Sequence, residues 1–129
     1  MQPPVEIIYH KIAHTLELIW ADERFSLPAE LLRVYSPSAE VRGHSEAERT
    51  LQTGKKHVGI SRLEAVGNYA IRIVFNDGHD SGIYAWDYLH DLGTHQQQHW
   101  QAYLSELKQA NASRLPSIPV GTWQPGESS

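Results

Sequence analysis

The sequence contains no cysteine among its 129 residues. This absence excludes disulfide bonds, thiolate zinc sites, iron–sulfur ligation and catalytic thiols. Positive charge is also scarce, because Lys and Arg total 11 against 15 Asp and Glu, which gives a net charge of −4 with neutral histidine. A chain with so few cations creates no strong field for phosphates or anionic lipids, which argues against nucleic acid and membranes as partners.

Long apolar runs are missing as well. No stretch approaches the roughly 20 apolar residues that a membrane-spanning helix needs. The N-terminal segment "MQPPVEIIYH" lacks the basic region and apolar core of a secretory signal, so we expect a cytoplasmic protein. With 40% hydrophobic and 20% charged residues, the composition is typical of a globular protein, and the length suits one core.

Apolar periodicity predicts the secondary structure of the N-terminal part. Residues 11–20, "KIAHTLELIW", alternate between apolar and polar, which predicts a half-buried strand with Ile12 and His14 on its inner face. Residues 25–27 can return as the second strand of a hairpin. A short helix is predicted to follow.

The helix is predicted to have Pro28 in its first turn and to end near Tyr35. Residues 36–57 show no sustained period and many polar groups, which predicts an irregular connection.

Three further strands are predicted after this connection. Residues 58–66 and 69–75 read as a hairpin joined by the two-residue turn Gly67–Asn68. A second turn at residues 76–79 leads into a strand at residues 81–84. The pattern therefore predicts a three-stranded antiparallel meander.

Two helices are predicted after the meander. The first is expected to stop at Gly93, and Thr94 with Gln97 forms a possible capping box for the second. One apolar stripe runs along the second helix, formed by Trp100, Tyr103, Leu104 and Leu107. The fold class is therefore α+β, a small and mostly antiparallel β-sheet domain with peripheral helices, including a C-terminal helix packed on the sheet.

The predicted domain occupies residues 7–111. Residues 1–6 are predicted as an N-terminal tail, and residues 112–129, which are rich in proline, glycine and serine, as a flexible C-terminal tail.

Two histidines, His95 and His99, lie four residues apart on a predicted helix, a spacing that lets two imidazoles share a metal ion. No glutamate follows His95 as a zinc protease motif requires, so a solvated helix face is the preferred interpretation. His14 is interpreted as a core histidine. The triplet "HSE" at residues 44–46 matches part of a non-haem iron motif, but the chain is too short for the barrel that holds such iron.

The stretch "FNDGHDSGIYAWDYL", residues 75–89, concentrates polar and aromatic residues. Asp77, His79, Asp80 and Ser81 have the side chains of a nucleophile, a base and an orienting group. However, neighbours along a strand point to opposite faces, so a relay built from these residues alone would not converge. A tight turn explains the stretch better, and we expect no enzyme activity.

Four motifs occur in order along the chain, "LRVYSPSAE", "VGNYA", "DGHDSGIY" and "WDYL". Together they resemble the domain at the N-terminus of gamma-butyrobetaine hydroxylase, which also occurs alone in many bacterial proteins of unknown function. The resemblance covers residues 7–107 and implies a mostly antiparallel β domain with peripheral helices. The oxygenase domain, which carries the iron and 2-oxoglutarate chemistry of the hydroxylase, has no counterpart in this sequence.

The resemblance also implies a lost zinc site. In the hydroxylase this domain holds zinc through three cysteines and one histidine, which correspond to Ser36, Ser38, Val41 and His79 here. A hydroxyl is a poor zinc ligand and valine is none, so we expect neither zinc nor another cofactor. The "SPSAE" segment and the turn around His79 are expected to pack together where a metal joins them in the hydroxylase.

These observations favour a non-catalytic accessory or protein-interaction domain with an unknown protein partner. The resemblance, through related domains joined to iron–sulfur carrier proteins, also implies a role near metal or iron–sulfur cofactor trafficking. The predicted contact surface consists of Ser36, Ser38, Glu40, His44, Asp77, His79, Asp80 and Trp86.

Two alternatives to this hypothesis stay open. One is a small enzyme with an unrecognised site. The other is a metal-binding domain that uses His79 together with His44, His57 or the pair His95 and His99.

Overall fold

The computed structural model describes residues 1–43 and 49–117. Within them the chain forms two three-stranded antiparallel sheets, ordered β1-β2-β3 and β4-β5-β6, and four helices. The α+β class predicted from the sequence is confirmed. In chain order the elements are β1 (Glu6–His10), β2 (Thr15–Ile19), β3 (Arg24–Pro28), α1 (Ala29–Val34), α2 (Ala39–Arg42), β4 (Ile60–Val66), β5 (Ala70–Phe75), β6 (Gly82–Ala85), α3 (Trp86–Thr94) and α4 (Gln96–Gln109).

The first sheet follows the predicted alternation only from Thr15 onward. Leu16 and Leu18 are fully buried on one face of β2, as an amphipathic strand requires. Ile12 was expected on the same face but is 98% exposed, because residues 11–14 form the turn that joins β2 to β1.

His14 corrects the prediction of a core histidine. It lies exposed in the turn with a φ of 55°, an uncommon backbone conformation for a residue other than glycine. A turn placed inside the alternating run therefore moves this side chain out of the core.

The second sheet is the predicted meander, with one difference in its first turn. Val66 pairs with Ala70, so the loop holds three residues, 67–69, rather than the two expected. Gly67 has a φ of 53°, a left-handed conformation that glycine adopts without steric penalty.

The segment around the start of the predicted irregular connection differs from the prediction in two details. Pro28 is the last residue of β3 and the N-cap of α1 rather than its first helical residue, and α1 ends at Val34 as expected. The short helix α2 was not predicted. It begins after Ser38, whose Oγ accepts the backbone N–H of Glu40 at 3.2 Å.

Gly93 lies inside α3 rather than stopping it. A Cβ at this position would lie 2.4 Å from Cγ of Phe25, so glycine is needed for close approach of the helix to β3. The predicted capping box does not form, because His95 is the N-cap of α4 and Thr94 belongs to α3.

One main apolar core joins both sheets, α1 and α3. The C-terminal helix packs on this body through Tyr103 and Leu107, which contact Val34 of α1, and through Trp100, which also touches the main core. In the described part of the chain, no helix is both long enough and apolar enough to cross a membrane.

The first residues of the predicted C-terminal tail contact the domain. The carbonyls of Ser113 and Arg114 accept backbone N–H groups of Gly54 and Lys56 at 3.0 and 2.9 Å. The Arg114 guanidinium donates to both carboxylate oxygens of Glu30 at 2.8 and 2.7 Å. The remainder of the predicted tail, residues 118–129, lies outside the described residues, and the domain boundaries stay a prediction.

Substitution Gly93→Ala should destabilise the fold. Overpacking of a core costs about 1–3 kcal/mol, whereas alanine gains about 1 kcal/mol over glycine in a helix. Because the added Cβ would lie only 2.4 Å from a ring carbon, the upper part of the overpacking range applies, and we expect the free energy of unfolding, measured by urea denaturation, to fall by about 1–2 kcal/mol. Ser105→Ala on the exposed face of α4 serves as the control and should not lower stability. A Gly93→Ala protein as stable as the wild type would contradict the packing argument.

Candidate functional site

The "SPSAE" segment and the turn after β5 meet at a buried hydrogen bond. Oγ of Ser36 lies 2.8 Å from Nε2 of His79, although the two residues are 43 positions apart in the chain. Ser36 is 2% exposed and His79 8% exposed. The expected packing of these two segments is therefore present in the structure.

Two further serines extend this contact into a network. Ser36 Oγ accepts the backbone N–H of Ser38 at 3.2 Å, and Ser38 Oγ lies 2.7 Å from Ser81 Oγ. Because the Ser36 hydroxyl accepts from this N–H, its own proton is available to the imidazole. The buried polar groups thus satisfy one another, as buried groups must.

The local sequence shapes the turn that presents His79. Asp77 Oδ1 accepts the backbone N–H of His79 at 3.1 Å, which is the local bond typical of aspartate in turns. Gly78 has a φ of 94°, a value that favours glycine. A Cβ on Gly82 would lie 2.6 Å from Ser36 Oγ, so glycine at this position permits the close approach of the two segments.

A layer of charged groups adjoins the network. Asp77 Oδ2 accepts hydrogen bonds from Arg33 Nε at 2.9 Å and from Lys55 Nζ at 2.6 Å. Burial by itself raises the pKa of Asp77, but the bonds from Lys55, the His79 N–H and Arg33 outweigh it and lower the pKa to about 2. Asp77 is therefore ionised, and it ties helix α1 to the turn.

His79 is held in its neutral form. Burial lowers its pKa, and the charge of Arg33 lowers it further, against opposing contributions from Glu40 and the nearby aspartates. The Glu40 carboxylate is 3.7 Å from His79 Nδ1, beyond hydrogen-bond distance. A neutral imidazole that accepts at Nε2 from Ser36 is consistent with this environment.

These residues do not fit a zinc ion. Ser36 and Ser38 are engaged in the hydrogen-bond network, and Val41 is buried and offers no donor atom. Zn²⁺ in structural sites takes thiolate and imidazole ligands, of which this set supplies one. Among the described residues, no cluster of three or more His, Asp or Glu is arranged to hold a metal ion.

Ser36, His79 and Glu40 have the residue types and order of contact of a hydrolytic triad. However, Ser36 and His79 are both buried, and the Glu40 contact is too long for an orienting hydrogen bond. A nucleophile must reach its substrate, so this arrangement is structural. The family resemblance placed Ser36 near His79, but the direct bond between the two side chains was not predicted, because no local pattern joins positions 43 residues apart.

The predicted contact residues divide into buried and exposed groups. Ser36, Ser38 and His79 are buried, and Trp86 is buried with its indole N–H donated to the Asn68 carbonyl at 2.9 Å. Glu40 and Asp80 are exposed, with side chains 73% and 60% accessible, and Asp77 is 22% accessible. His44 lies outside the described residues.

Three histidines of α3, α4 and the residue between them lie close to carboxylates. His95 Nδ1 and His99 Nε2 lie 3.0 and 3.3 Å from the two oxygens of Asp91. His90 Nε2 lies 3.1 Å from both oxygens of Glu23. The Asp91 carboxylate was missed as a partner, although its spacing of four residues before His95 is the signal that could have shown it.

The fold and this site define a small α+β domain in which a network of hydroxyl and imidazole groups joins two distant segments. The chain belongs to the family described as gamma-butyrobetaine hydroxylase-like, N-terminal, which matches residues 7–90.

Solved structures agree with this assignment. Two proteins solved by NMR in solution are 46% and 42% identical, with TM-scores of 0.80 and 0.78. The matched region covers 96% of this chain in both cases, and it covers 98% of the first relative and 93% of the second.

A crystal structure of a protein of unknown function from Acidithiobacillus ferrooxidans, assigned to the DUF971 family, is 37% identical with a TM-score of 0.59. That similarity covers 70% of this chain and 91% of the other. Among curated proteins, no significant match to the chain is found.

A double-mutant cycle tests the bond between Ser36 and His79. Ser36→Ala leaves a buried ring nitrogen without its partner, which should lower the free energy of unfolding by about 1–3 kcal/mol. In the double variant Ser36→Ala/His79→Phe both partners are gone, so urea denaturation should give a loss smaller than the sum of the single losses by about 1 kcal/mol. The exposed Ser61→Ala, combined with His79→Phe, should be additive. Additivity in both pairs would contradict the coupling.

The lowered pKa of His79 predicts a pH dependence of stability. The unfolded chain takes up a proton as the pH falls through the ordinary histidine value of 6.5, before the folded protein does. The contribution of the neutral imidazole is therefore present above this pH and is lost as the pH falls below it. Wild type should lose stability toward acid more steeply than His79→Gln in urea titrations at several pH values.

His57→Gln, which changes an exposed histidine, should retain the wild-type slope. Equal slopes for wild type and His79→Gln would show that His79 does not contribute to the acid sensitivity.

Proposed function

We propose that this protein is a non-catalytic interaction module that binds an extended, basic segment of a partner protein along the outer edge of strand β6. The single observation that carries the proposal is the free backbone of this edge. The family resemblance supports an accessory role in the bacterial cytoplasm, near metal or iron–sulfur cofactor trafficking. The partner would then be a protein that takes part in metal or iron–sulfur cofactor trafficking.

The register of the second sheet determines which backbone groups of β6 point outward. The Trp86 N–H donates to the Tyr69 carbonyl at 3.4 Å, and this bonded pair lies next to the pair Ala70 and Ala85. Bonded and non-bonded pairs alternate along an antiparallel ladder, so Tyr84 exchanges both backbone bonds with β5. Ile83 belongs to a non-bonded pair, and its N–H and C=O therefore point away from β5. Among the described residues, no group bonds to the Ile83 backbone.

A groove adjoins this edge and offers an apolar side chain to a partner. Ile83 is 48% exposed, so its side chain is accessible to a partner. The groove has a volume of about 430 Å³. Its walls are formed by Pro37, Arg42, Ile83, Ala85, Asp87, Tyr88 and Asp91. Main-chain bonds at the edge and side-chain contacts in such a groove are the two components of strand addition.

The opposite edge of the same sheet is less suited to a partner strand. Strand β4 has a register irregularity between Ile60 and Arg62, and such bulges twist an edge away from further pairing. The exposed side chain of Arg62 also binds Glu64 on this strand. The protected β4 edge contrasts with the open β6 edge.

The charges around β6 favour a basic partner. Asp80, Asp87 and Glu40 are exposed near the strand. The cations beside them are Arg42 on the groove wall and Arg72, which is paired with Glu64 and lies 3.7 Å from Asp80. A second copy of this chain paired edge to edge would bring these carboxylates together, and like charges disfavour such a contact. A segment with lysine or arginine would be attracted. Glu40 and Asp80, predicted contact residues, belong to this exposed set.

The proposal is tested by selection from a random-peptide display library on the purified protein, followed by NMR titration of the enriched peptides. We expect extended peptides with Lys or Arg among β-branched residues, and amide shifts centred on residues 82–85. Ile83→Pro removes the outward N–H but no ladder bond, because this N–H does not pair with β5. Proline is tolerated at such edge positions. It should weaken binding by roughly tenfold, the loss expected for one hydrogen bond.

Ile83→Val, which retains the N–H, is the matched control and should bind like wild type. Asp87→Asn should weaken binding of the basic peptides through the loss of one charge. Peptides that bind equally well to Ile83→Pro would exclude the β6 edge, and concentration-dependent dimerisation abolished by Ile83→Pro would assign the edge to a second copy instead.

A further inference from the structure

A second cleft lies beside the groove, between the end of α2 and one side of α3 and α4. Its volume is about 360 Å³, within the range of small-molecule sites. Two arginines, Arg42 and Arg49, and two tyrosine rings, Tyr35 and Tyr88, contribute to its walls. The remaining lining residues are Ser36, Asp91, His99, Ala102 and Glu106.

The acidic groups of this cleft already have partners. The two oxygens of Asp91 face His95 and His99 at 3.0 and 3.3 Å. Glu106 accepts a hydrogen bond from Arg49 Nη2. Both carboxylates therefore already face donor groups of this chain.

The tyrosine hydroxyls are also engaged. The Tyr88 hydroxyl donates to the Tyr35 carbonyl at 2.5 Å, and the Tyr35 hydroxyl donates to the His99 carbonyl at 2.8 Å. These bonds fix both rings as walls of the cleft.

The cationic donors, in contrast, are not saturated. Nη1 of Arg49 is buried and has no hydrogen-bond partner among the described residues. A buried donor without an acceptor is costly, so a ligand oxygen that drew the Arg49 guanidinium toward the cleft would satisfy it. Arg42 lies over the Tyr88 ring at 5.0 Å and has no carboxylate partner in the described part of the chain. The cleft therefore has more donors than acceptors.

We propose that this cleft binds a small molecule through an oxyanion, a carboxylate or a phosphate, held between Arg42 and Arg49. Guanidinium groups match the geometry of such oxyanions and bind them through paired hydrogen bonds. The Arg49 guanidinium lies over the Tyr35 ring at 4.8 Å, as Arg42 does over Tyr88, so each donor is supported by an aromatic face. The rings also offer apolar surface to the remainder of the ligand.

NMR titration of the full-length protein with succinate and, separately, with inorganic phosphate tests the proposal. At least one oxyanion should cause saturable shifts at Arg42, Arg49 and Tyr88, and the stronger of the two identifies the chemistry. Arg42→Gln changes an exposed residue, so folding should be retained, and the dissociation constant should rise about tenfold with the loss of one charged hydrogen bond. Arg62→Gln on β4 is the control for net charge and should bind like wild type.

A second variant tests the proposal in the opposite direction. Glu106→Gln removes the negative charge that competes for Arg49, so oxyanion affinity should increase. Ile83→Pro should leave the oxyanion affinity unchanged, which distinguishes the arginine cleft from the β6 edge. The absence of saturable shifts for both anions, or equal weakening by Arg42→Gln and Arg62→Gln, would overturn the inference.

Discussion

The contact between Ser36 and His79 is the constraint on which the arrangement of this domain depends. It joins the segment after α1 to the turn after β5, and 43 residues of chain separate the two positions. Apolar packing alone would not fix how these polar segments meet, because hydrophobic contacts are not directional. The bond, together with the ion pair between Arg33 and Asp77, gives the contact one geometry.

The same arrangement organises the surface. Because Ser36 and Ser38 are bonded inward, the chain between α1 and α2 lies against the second sheet and contributes Pro37 to the groove at β6. The groove and the arginine cleft share Arg42, Tyr88 and Asp91, so the two proposed sites are neighbours. An occupant of one would therefore contact residues that line the other.

The regular elements were predictable where a local pattern and the core agree. The alternation from Thr15 to Ile19 and the apolar stripe with Tyr103 and Leu107 both gave buried residues as expected. The predictions were wrong where a contact from elsewhere in the fold decides. Gly93 reads as a helix stop in the sequence, but Phe25 explains it, since the ring occupies the space of a side chain.

By itself, the sequence determined the α+β class, the meander, the turn that contains Gly78 and the lack of thiolate ligands. Each of these follows from the residue types present or from patterns among residues that are close together in the chain. Tertiary structure decided that Ser36 and His79 bond to each other and that the Ile83 backbone faces outward. It also decided that Arg49 keeps a buried donor without an acceptor. These features depend on strand register and on approaches between distant segments, which no local pattern specifies.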